Sequence, residues 1–421
     1  MTRVHVVGAG LAGLACAVHL ARRGVAVALY EAAGQAGGRC RSYHDVRLDC
    51  RVDNGNHILL SANTAALSYL EEIGARDTLI GPAEAAFPFY DLRSGARWVL
   101  RPNAGRLPWW IFSSARRVPG TRPGGYLAGL RLARAGTNAT VADCLDAQDP
   151  LWAGFWVPLT VAALNTAPRE ASARLLWLVL RETFGRGGAA CRPLIARDGL
   201  GPSLVDPALA RLREAGAEVR FNRRLRRIEF AGSRAARLDF GDAAVALGEA
   251  DRLVLAVPPV AAAELLPGLE APDEMRPIVN AHIRLPEPPR LPPGMSAELP
   301  LLGLVGGLGQ WLVLRGAVAS LTVSAAAEIV DRPAESLAAR FWAETAQALG
   351  LDPAPMPPVR VVKERRATFA QTPAALRRRP PARTAWDNLA LAGDWTDTGY
   401  PATIESAVRS GRTAARLVTG L

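Results

Sequence analysis

The stretch that decides the fold is RVHVVGAGLAGLACAVHLARRGVAVALYE, residues 3–31. It opens with a β-rich run at residues 3–7, which three glycines follow in the spacing G-x-G-x-x-G: Gly8, Gly10 and Gly13. An apolar pattern of helical period then runs toward Gly24, and a second β-rich run, residues 25–30, ends at Glu31. Strand, glycine turn, helix, strand and acid in this order predict the first unit of a Rossmann-like α/β fold.

Each part of this motif has a physical task in binding a dinucleotide. The first glycine makes a tight turn, the second lets the backbone approach a diphosphate, and the third lets helix and strand pack closely. The helix N-terminus faces the phosphate charge, and Glu31 is placed to accept hydrogen bonds from ribose hydroxyls. The predicted contacts are Gly8, Gly10, Leu11, Ala12, Gly13 and Glu31. The motif alone does not separate NAD from FAD, and a glycine turn between packed elements is the structural alternative.

A second glycine motif follows at residues 37–42, GGRCRS. Backbone N–H groups and a guanidinium are the groups that hold a diphosphate. Here the sequence resembles the flavin amine oxidase and phytoene desaturase superfamily, in which G-G-R-x-x-S contacts the FAD diphosphate. The resemblance implies FAD as the cofactor and Gly37, Gly38 and Arg39 as contacts. A surface turn with a solvated arginine is the alternative.

Near the carboxyl end, an apolar run precedes Gly393-Asp394, and Pro401 with Thr403 suits a helix start. The resemblance implies that this segment closes the flavin site. Asp394 would bind the ribityl chain, and the amides at Thr403 and Ile404 would face the flavin ring. A helix that only caps the sheet is the alternative.

Two further implications of the resemblance concern how the cofactor is held. The residue at the position of Val219 lies against the adenine through its backbone in relatives. Relatives with a cysteinyl link use a cysteine near the carboxyl-terminal flavin segment, whereas no cysteine follows Cys191. Non-covalent FAD is therefore expected.

The distance between these motifs predicts a discontinuous FAD-binding domain. We assign it residues 1–85, 205–265 and 384–421. Residues 86–204 and 266–383 would form a mixed α+β substrate-binding domain with an apolar tunnel. The predicted architecture is that of the amine oxidases and phytoene desaturases.

Other segments narrow the resemblance: DNGNHILL at 53–60, FWVPL at 155–159, Asn165-Thr166 and ERRATF at 364–369. They resemble the squalene-associated FAD-dependent desaturases, the hydroxysqualene dehydroxylase family, over nearly the whole chain. This implies reductive removal of the hydroxyl of hydroxysqualene, an apolar C30 isoprenoid, to give squalene in bacterial hopanoid biosynthesis. A carotenoid desaturase, a flavin amine oxidase and a non-enzymatic prenyl-chain carrier on the same superfold remain as alternatives.

Removal of a hydroxyl needs an acid, because hydroxide is a poor leaving group. His57, in the stretch expected near the flavin ring, is the first candidate, although a lone histidine is structural more often than catalytic. Lys363 and Arg365 are weaker candidates. The chain has no second nucleotide fingerprint, so an external electron donor, not identified by the sequence, must exchange electrons with the flavin.

Composition restricts the partners. The net charge is +11, and Lys363 is the only lysine, so the basic residues are nearly all arginine. No arginine-rich run alternates with stacking aromatics, so no nucleic acid is expected. Five cysteines without a C-x-x-C pair argue against a disulfide framework and a metal site, and fit a reducing compartment.

The sequence enters a strand pattern at once and has no apolar run of about 18 residues. We therefore expect a cytoplasmic protein without a signal peptide. The segment LPWWIF, residues 107–112, lies close to Arg116 and Arg117. This pattern suits a membrane interface, with peripheral contact on the inner face, or a tunnel mouth. Buried core aromatics explain it equally well.

Overall fold

The computed structural model describes residues 2–420. Its strands, in chain order, are β1 Arg3–Val7, β2 Ala26–Tyr30, β3 Ser42–Asp45, β4 Cys50–Asp53, β5 Ile58–Leu60, β6 Leu79–Ile80, β7 Phe87–Asp91, β8 Arg97–Leu100, β9 Pro193–Ala196, β10 Glu218–Arg220, β11 Arg227–Ala231, β12 Arg234–Asp239, β13 Ala244–Ala246, β14 Arg252–Leu255, β15 Met275–Arg284, β16 Leu301–Val305, β17 Trp311–Arg315, β18 Val318–Val323, β19 Val359–Phe369 and β20 Leu389–Leu391. Its α-helices are α1 Leu11–Ala21, α2 Thr64–Glu72, α3 Pro123–Leu127, α4 Val141–Cys144, α5 Val157–Leu164, α6 Ala173–Glu182, α7 Gly188–Cys191, α8 Asp206–Glu214, α9 Pro259–Leu265, α10 Ala334–Leu349, α11 Pro373–Arg377 and α12 Ile404–Thr419.

The amino-terminal motif belongs to a five-stranded parallel sheet of order β10-β2-β1-β14-β20. Its central strand, β1, is paired in parallel with β2 on one side and β14 on the other. These strands are short apolar runs because both faces of a parallel sheet are covered. The bounds of β1 are those predicted, and the Rossmann-like α/β fold is confirmed. Strand β20 joins the sheet from the far end of the chain.

Helix α1 is buried on every side, whereas its sequence pattern predicted a single apolar face. Every residue from Leu11 to Leu20 is buried. The reason is that α1 packs against α12 and α8 as well as against the sheet. A helix enclosed in this way is apolar all round. At Gly411 of α12 an added Cβ would lie 2.1 Å from the Ala12 carbonyl oxygen, so the two helices touch through their backbones.

The second main layer is a seven-stranded sheet of order β19-β15-β18-β17-β16-β7-β8. Its pairs are antiparallel except β16 with β7. Helix α10 covers one face through Phe341 and Trp342. All its strands fall within the two segments assigned above to the substrate side. A three-stranded sheet, β5-β9-β6, crosses that boundary, because β9 comes from the substrate side. The exact division into domains stays a prediction.

Candidate active site

The three glycines of the first loop occupy three different environments. Gly8 has a left-handed φ of +105°, and an added Cβ would lie 2.3 Å from the Ala256 carbonyl oxygen. A Cβ on Gly13 would lie 1.8 Å from the Gly8 carbonyl oxygen. At Gly10, by contrast, nothing lies within 4 Å of the added atom. Packing therefore requires two of the glycines, and the middle one borders open space into which a ligand can approach.

The start of α1 offers backbone donors to that space. The first intrahelical bond runs from the Leu14 N–H to the Gly10 carbonyl oxygen, at 2.9 Å, so the amides of residues 11–13 precede it. Gly10 supplies no side-chain cap. The second glycine motif lies alongside, because the Gly37 N–H donates to the Ala9 carbonyl oxygen at 2.8 Å. The structure thus brings the two predicted diphosphate loops together.

Glu31 is fixed at the end of β2 by two backbone amides. Its carboxylate oxygens accept from the N–H groups of Ala9, at 2.7 Å, and Ala33, at 2.8 Å. Each oxygen keeps a lone pair for a ligand hydroxyl. Val219 lies on the neighbouring strand, opposite Leu29. Both residues are therefore positioned on the edge where the resemblance places ribose and adenine.

Arg39 and Asp394, predicted as separate cofactor contacts, bind each other. The guanidinium lies 2.8 Å from an Asp394 carboxylate oxygen and donates to the Ala367 carbonyl oxygen at 2.5 Å. The two partners are 355 positions apart in the chain. The carboxylate raises the pKa of Arg39, which stays charged. Gly37 and Gly38 precede Arg39 with φ of +106° and +54°, values that favour glycine.

The carboxyl-terminal segment folds as predicted. Gly393 packs directly against the Trp395 indole, whose N–H donates to the Val257 carbonyl oxygen at 2.9 Å. Helix α12 begins at Ile404, and Thr403 is its N-cap, accepting from the Ser406 N–H. Thr403 caps only the Ser406 amide, so the N–H groups of Ile404 and Glu405 remain available beside the segment that carries Asp394.

Sequence reasoning missed Arg379, which holds this segment in place. It is 7% exposed and donates five hydrogen bonds, to the carbonyl oxygens of Asp394, Thr396 (two bonds) and Tyr400 and to the Thr398 hydroxyl. Its guanidinium also lies 5.4 Å from the centroid of the Phe369 ring. Burial lowers its pKa. Nothing in the sequence distinguishes this residue from the two arginines that precede it in the RRR run at 377–379.

The segments that carried the narrower family resemblance meet in space. Asn165, with φ of +45°, ends α5 and donates to the Thr368 hydroxyl at 2.9 Å. Its side-chain oxygen accepts from the Ala325 N–H at 2.6 Å. The Thr166 hydroxyl accepts from the Gln371 N–H, and the Gln371 side-chain oxygen accepts from the Ala402 N–H. These contacts connect α5, β19 and the approach to α12.

His57 lies in a segment anchored to the polar face of the seven-stranded sheet. The neighbouring Asn56 donates to the Ser320 carbonyl oxygen at 3.0 Å and to the Thr322 hydroxyl at 3.1 Å. Removal from water lowers the pKa of His57 to about 4, and the charge of Arg39 acts in the same direction. The imidazole is therefore neutral at pH 7 in this structure. Its catalytic role stays a prediction.

The weaker candidates for the acid, Lys363 and Arg365, each contact another residue. The Lys363 ammonium donates to the Arg332 carbonyl oxygen at 2.5 Å. Arg365 is exposed and lies 2.8 Å from an Asp331 carboxylate oxygen. Contacts with residues 331–332 therefore explain the positions of both side chains.

Comparisons with known proteins accord with this geometry. The model of the family described as flavin containing amine oxidoreductase matches residues 11–419. The chain belongs to this family. The hydroxysqualene dehydroxylase of Rhodopseudomonas palustris is 50% identical over 416 residues, which cover 99% of this chain and 98% of the relative. That of Sinorhizobium fredii is 45% identical over 414 residues, covering 98% and 97%.

A solved structure supports the fold of this flavin oxidoreductase. The cyclohexylamine oxidase of Brevibacterium oxydans superposes with a TM-score of 0.68 at 17% identity and covers 100% of this chain and 99% of its own. The predicted amine oxidase-like fold and the prediction of an FAD-dependent oxidoreductase are thereby confirmed. None of the helices between residues 2 and 420 combines the length and hydropathy that crossing a bilayer requires.

Proposed function

We propose that this flavoprotein removes the hydroxyl group of hydroxysqualene reductively and forms squalene, in bacterial hopanoid biosynthesis. The observation that carries the proposal is near-full-length similarity, at 44–50% identity, to three relatives named for that activity. Two of the segments that carried the resemblance, residues 165–166 and 364–369, meet at the hydrogen bond between Asn165 and Thr368.

The residues present fit non-covalent FAD. The open space at Gly10, the amides of residues 11–13 and the glycine backbone at 37–38 would hold the diphosphate. Glu31 would hold the ribose, Asp394 the ribityl chain, and the amides at the start of α12 the flavin ring. When bound and reduced, FAD supplies two electrons as hydride to the allylic carbon.

The reaction balances when the leaving hydroxyl also receives a proton. The C–O bond breaks, a C–H bond forms at the same carbon, and the hydroxyl leaves as water. We assign the proton to His57, which donates or relays it through its ring N–H. The neutral imidazole in this structure requires that a negative charge bound beside it raise its pKa, because opposite charges stabilise the protonated ring.

One observation weighs against the amine oxidase alternative. Amine oxidases commonly place a lysine near the flavin, and Lys363, the only lysine, is bonded to the Arg332 carbonyl oxygen. The carotenoid desaturase alternative would use a similar apolar substrate with the flavin running oxidatively, so only products separate the two.

The proposal includes two partners. A substrate of thirty carbons partitions into lipid, so the enzyme would take it from the inner face of the membrane by peripheral contact and pass it into an apolar tunnel. An external electron donor would reduce the flavin before each turnover.

The test is two anaerobic incubations of the purified protein, hydroxysqualene with a chemical reductant and phytoene with a chemical electron acceptor, followed by product analysis. Squalene from the first and no desaturated product from the second is the expected result. Conversion of phytoene alone would replace the proposal with the desaturase. As a companion, His57→Ala should keep FAD and lose turnover by about 100-fold, and unchanged turnover would exclude His57.

A further inference from the structure

Five large apolar side chains lie exposed in one short part of the chain: Leu107, Trp109, Phe112, Leu127 and Leu130, here called the apolar patch. Four of them are more than half exposed: Trp109 at 65%, Leu107 at 64%, and Phe112 and Leu130 at 59% each. Within LPWWIF, Trp110 and Ile111 are buried, whereas Leu107, Trp109 and Phe112 are exposed. The exposed members therefore are not core residues.

The patch has a rigid base. The buried Trp110 ring contacts the Tyr126 ring edge-to-face, with centroids 5.0 Å apart, which links the first half of the patch to the second. A Cβ on Gly129 would lie 2.7 Å from the Trp156 ring, so the turn that carries Leu130 is pressed onto the core. The exposed side chains thus project from an ordered surface, and no local partner covers them.

The charge around the patch is of one sign. Residues 92–142 contain nine arginines, no lysine and no acidic residue. Within residues 2–420, none of these arginines forms an ion pair. Arg106, Arg122, Arg131 and Arg134 are exposed beside the apolar patch. Elsewhere on the surface many arginines are paired with Asp or Glu, as Arg211 is with Glu214.

We infer that the apolar patch and its arginines dock this protein onto a bilayer that contains anionic lipid. Tryptophan, phenylalanine and leucine side chains lower their free energy in the interface, and unpaired arginines are attracted to negative headgroups. Charge selects this occupant over a second copy of the chain, since two surfaces carrying the same unpaired arginines repel each other. The biological purpose rests on the proposed function, because a membrane-dissolved substrate is what makes docking useful.

The experiment is co-sedimentation of the full chain with vesicles of phosphatidylcholine alone or mixed with phosphatidylglycerol, without substrate. We expect binding to the mixed vesicles that weakens as salt is raised.

The variant Trp109→Ser/Phe112→Ser/Leu130→Ser should lower the partition coefficient by about tenfold or more. The control Val46→Ser/Met356→Ser removes exposed apolar side chains elsewhere and should bind as the parent does. A second variant, Arg131→Glu/Arg134→Glu, should abolish the preference for the mixed vesicles.

Several results would overturn the inference. These are no binding to mixed vesicles, equal binding to both kinds of vesicle, or equal losses in the patch variant and its control. A dimer in solution that the patch variant converts to a monomer, with no vesicle binding, would assign the patch to a second copy.

Activity on detergent-dispersed hydroxysqualene separates this inference from the proposed function. Conversion without vesicle binding overturns only the inference, and vesicle binding without conversion supports the inference while the proposed function fails.

Discussion

The two glycine loops predicted to hold FAD and the polar face of the seven-stranded sheet are built in opposite ways. In the loops, the glycine backbone makes the site, and side chains would obstruct it at Gly8 and Gly13. On the sheet, polar side chains of β15 and β18 are buried opposite one another: Asn280 with Thr322, and His282 with Ser320. The first site depends on local spacing, whereas the second depends on the register between two strands that are distant in the chain.

The two kinds of site differ in how far the amino-acid sequence reveals them. A backbone site demands glycine at fixed intervals, so the amino-acid sequence itself displays it. A side-chain site uses common residues whose neighbours are decided only when the strands pair. Substitutions in the two regions should therefore have different effects on stability and on FAD binding.

The largest effect is expected at Gly13. Gly13→Ala places a methyl group 1.8 Å from the Gly8 carbonyl oxygen, so α1 must move away from the sheet. We expect a loss of more than about 4 kcal/mol of unfolding free energy and loss of bound FAD, measured by urea unfolding and by flavin content. Gly10→Ala, where space is open, should keep the apoprotein stable and weaken FAD alone. Equal stability of the Gly13→Ala and Gly10→Ala apoproteins would refute this distinction.

The next effect is expected at Arg379, which holds the segment that carries Asp394. Arg379→Gln leaves several buried carbonyl oxygens without donors, and we expect a loss of about 3 kcal/mol. The affinity for FAD should fall together with stability, as measured by titration of the apoprotein. The adjacent Arg378 is exposed and pairs with Asp273, so Arg378→Gln is the matched control and should change neither property.

A smaller effect is expected at Asn165, where the two regions are joined. Asn165→Gly keeps the left-handed backbone but removes the bonds to Thr368 and to the Ala325 N–H. We expect a loss of about 2 kcal/mol, with FAD content unchanged. Asn165→Ala should lose more, because it adds backbone strain at φ of +45°. The reverse order, measured by denaturant unfolding, would show that the left-handed backbone carries no strain, and parental stability in both variants would show that the hydrogen bonds do not matter.

The effect that is smallest at neutral pH is a pH dependence from His282 on the sheet. Burial lowers its pKa from 6.5 to about 4, so the unfolded chain binds the proton more readily than the folded one. This contribution to stability is complete above pH 6.5 and is lost as pH falls toward 4, at about 1.4 kcal/mol per pH unit. His282→Gln should flatten the measured slope in that window. The exposed His44→Gln is the control. If the slope of unfolding free energy against pH is unchanged in both variants, His282 does not cause it.

The particular residues show how much the sequence alone could predict. Residues 3–7 were predicted as a strand and are β1, and Thr403 was predicted at a helix start and caps α12. Arg379 could not be singled out from its neighbours Arg377 and Arg378, because its burial arises only when residues 394–400 fold over it. The polar face of the sheet was equally hidden, since no spacing relates Asn280 to Thr322 until β15 and β18 pair.

Reductive dehydroxylation at a flavin held by these loops, as proposed, can be tested in a single turnover. The purified protein is reduced without oxygen until its yellow colour disappears, and hydroxysqualene is then added. We expect that the colour returns and that one squalene forms for each flavin. Colourless protein after the addition, or colour returning without squalene, would contradict it.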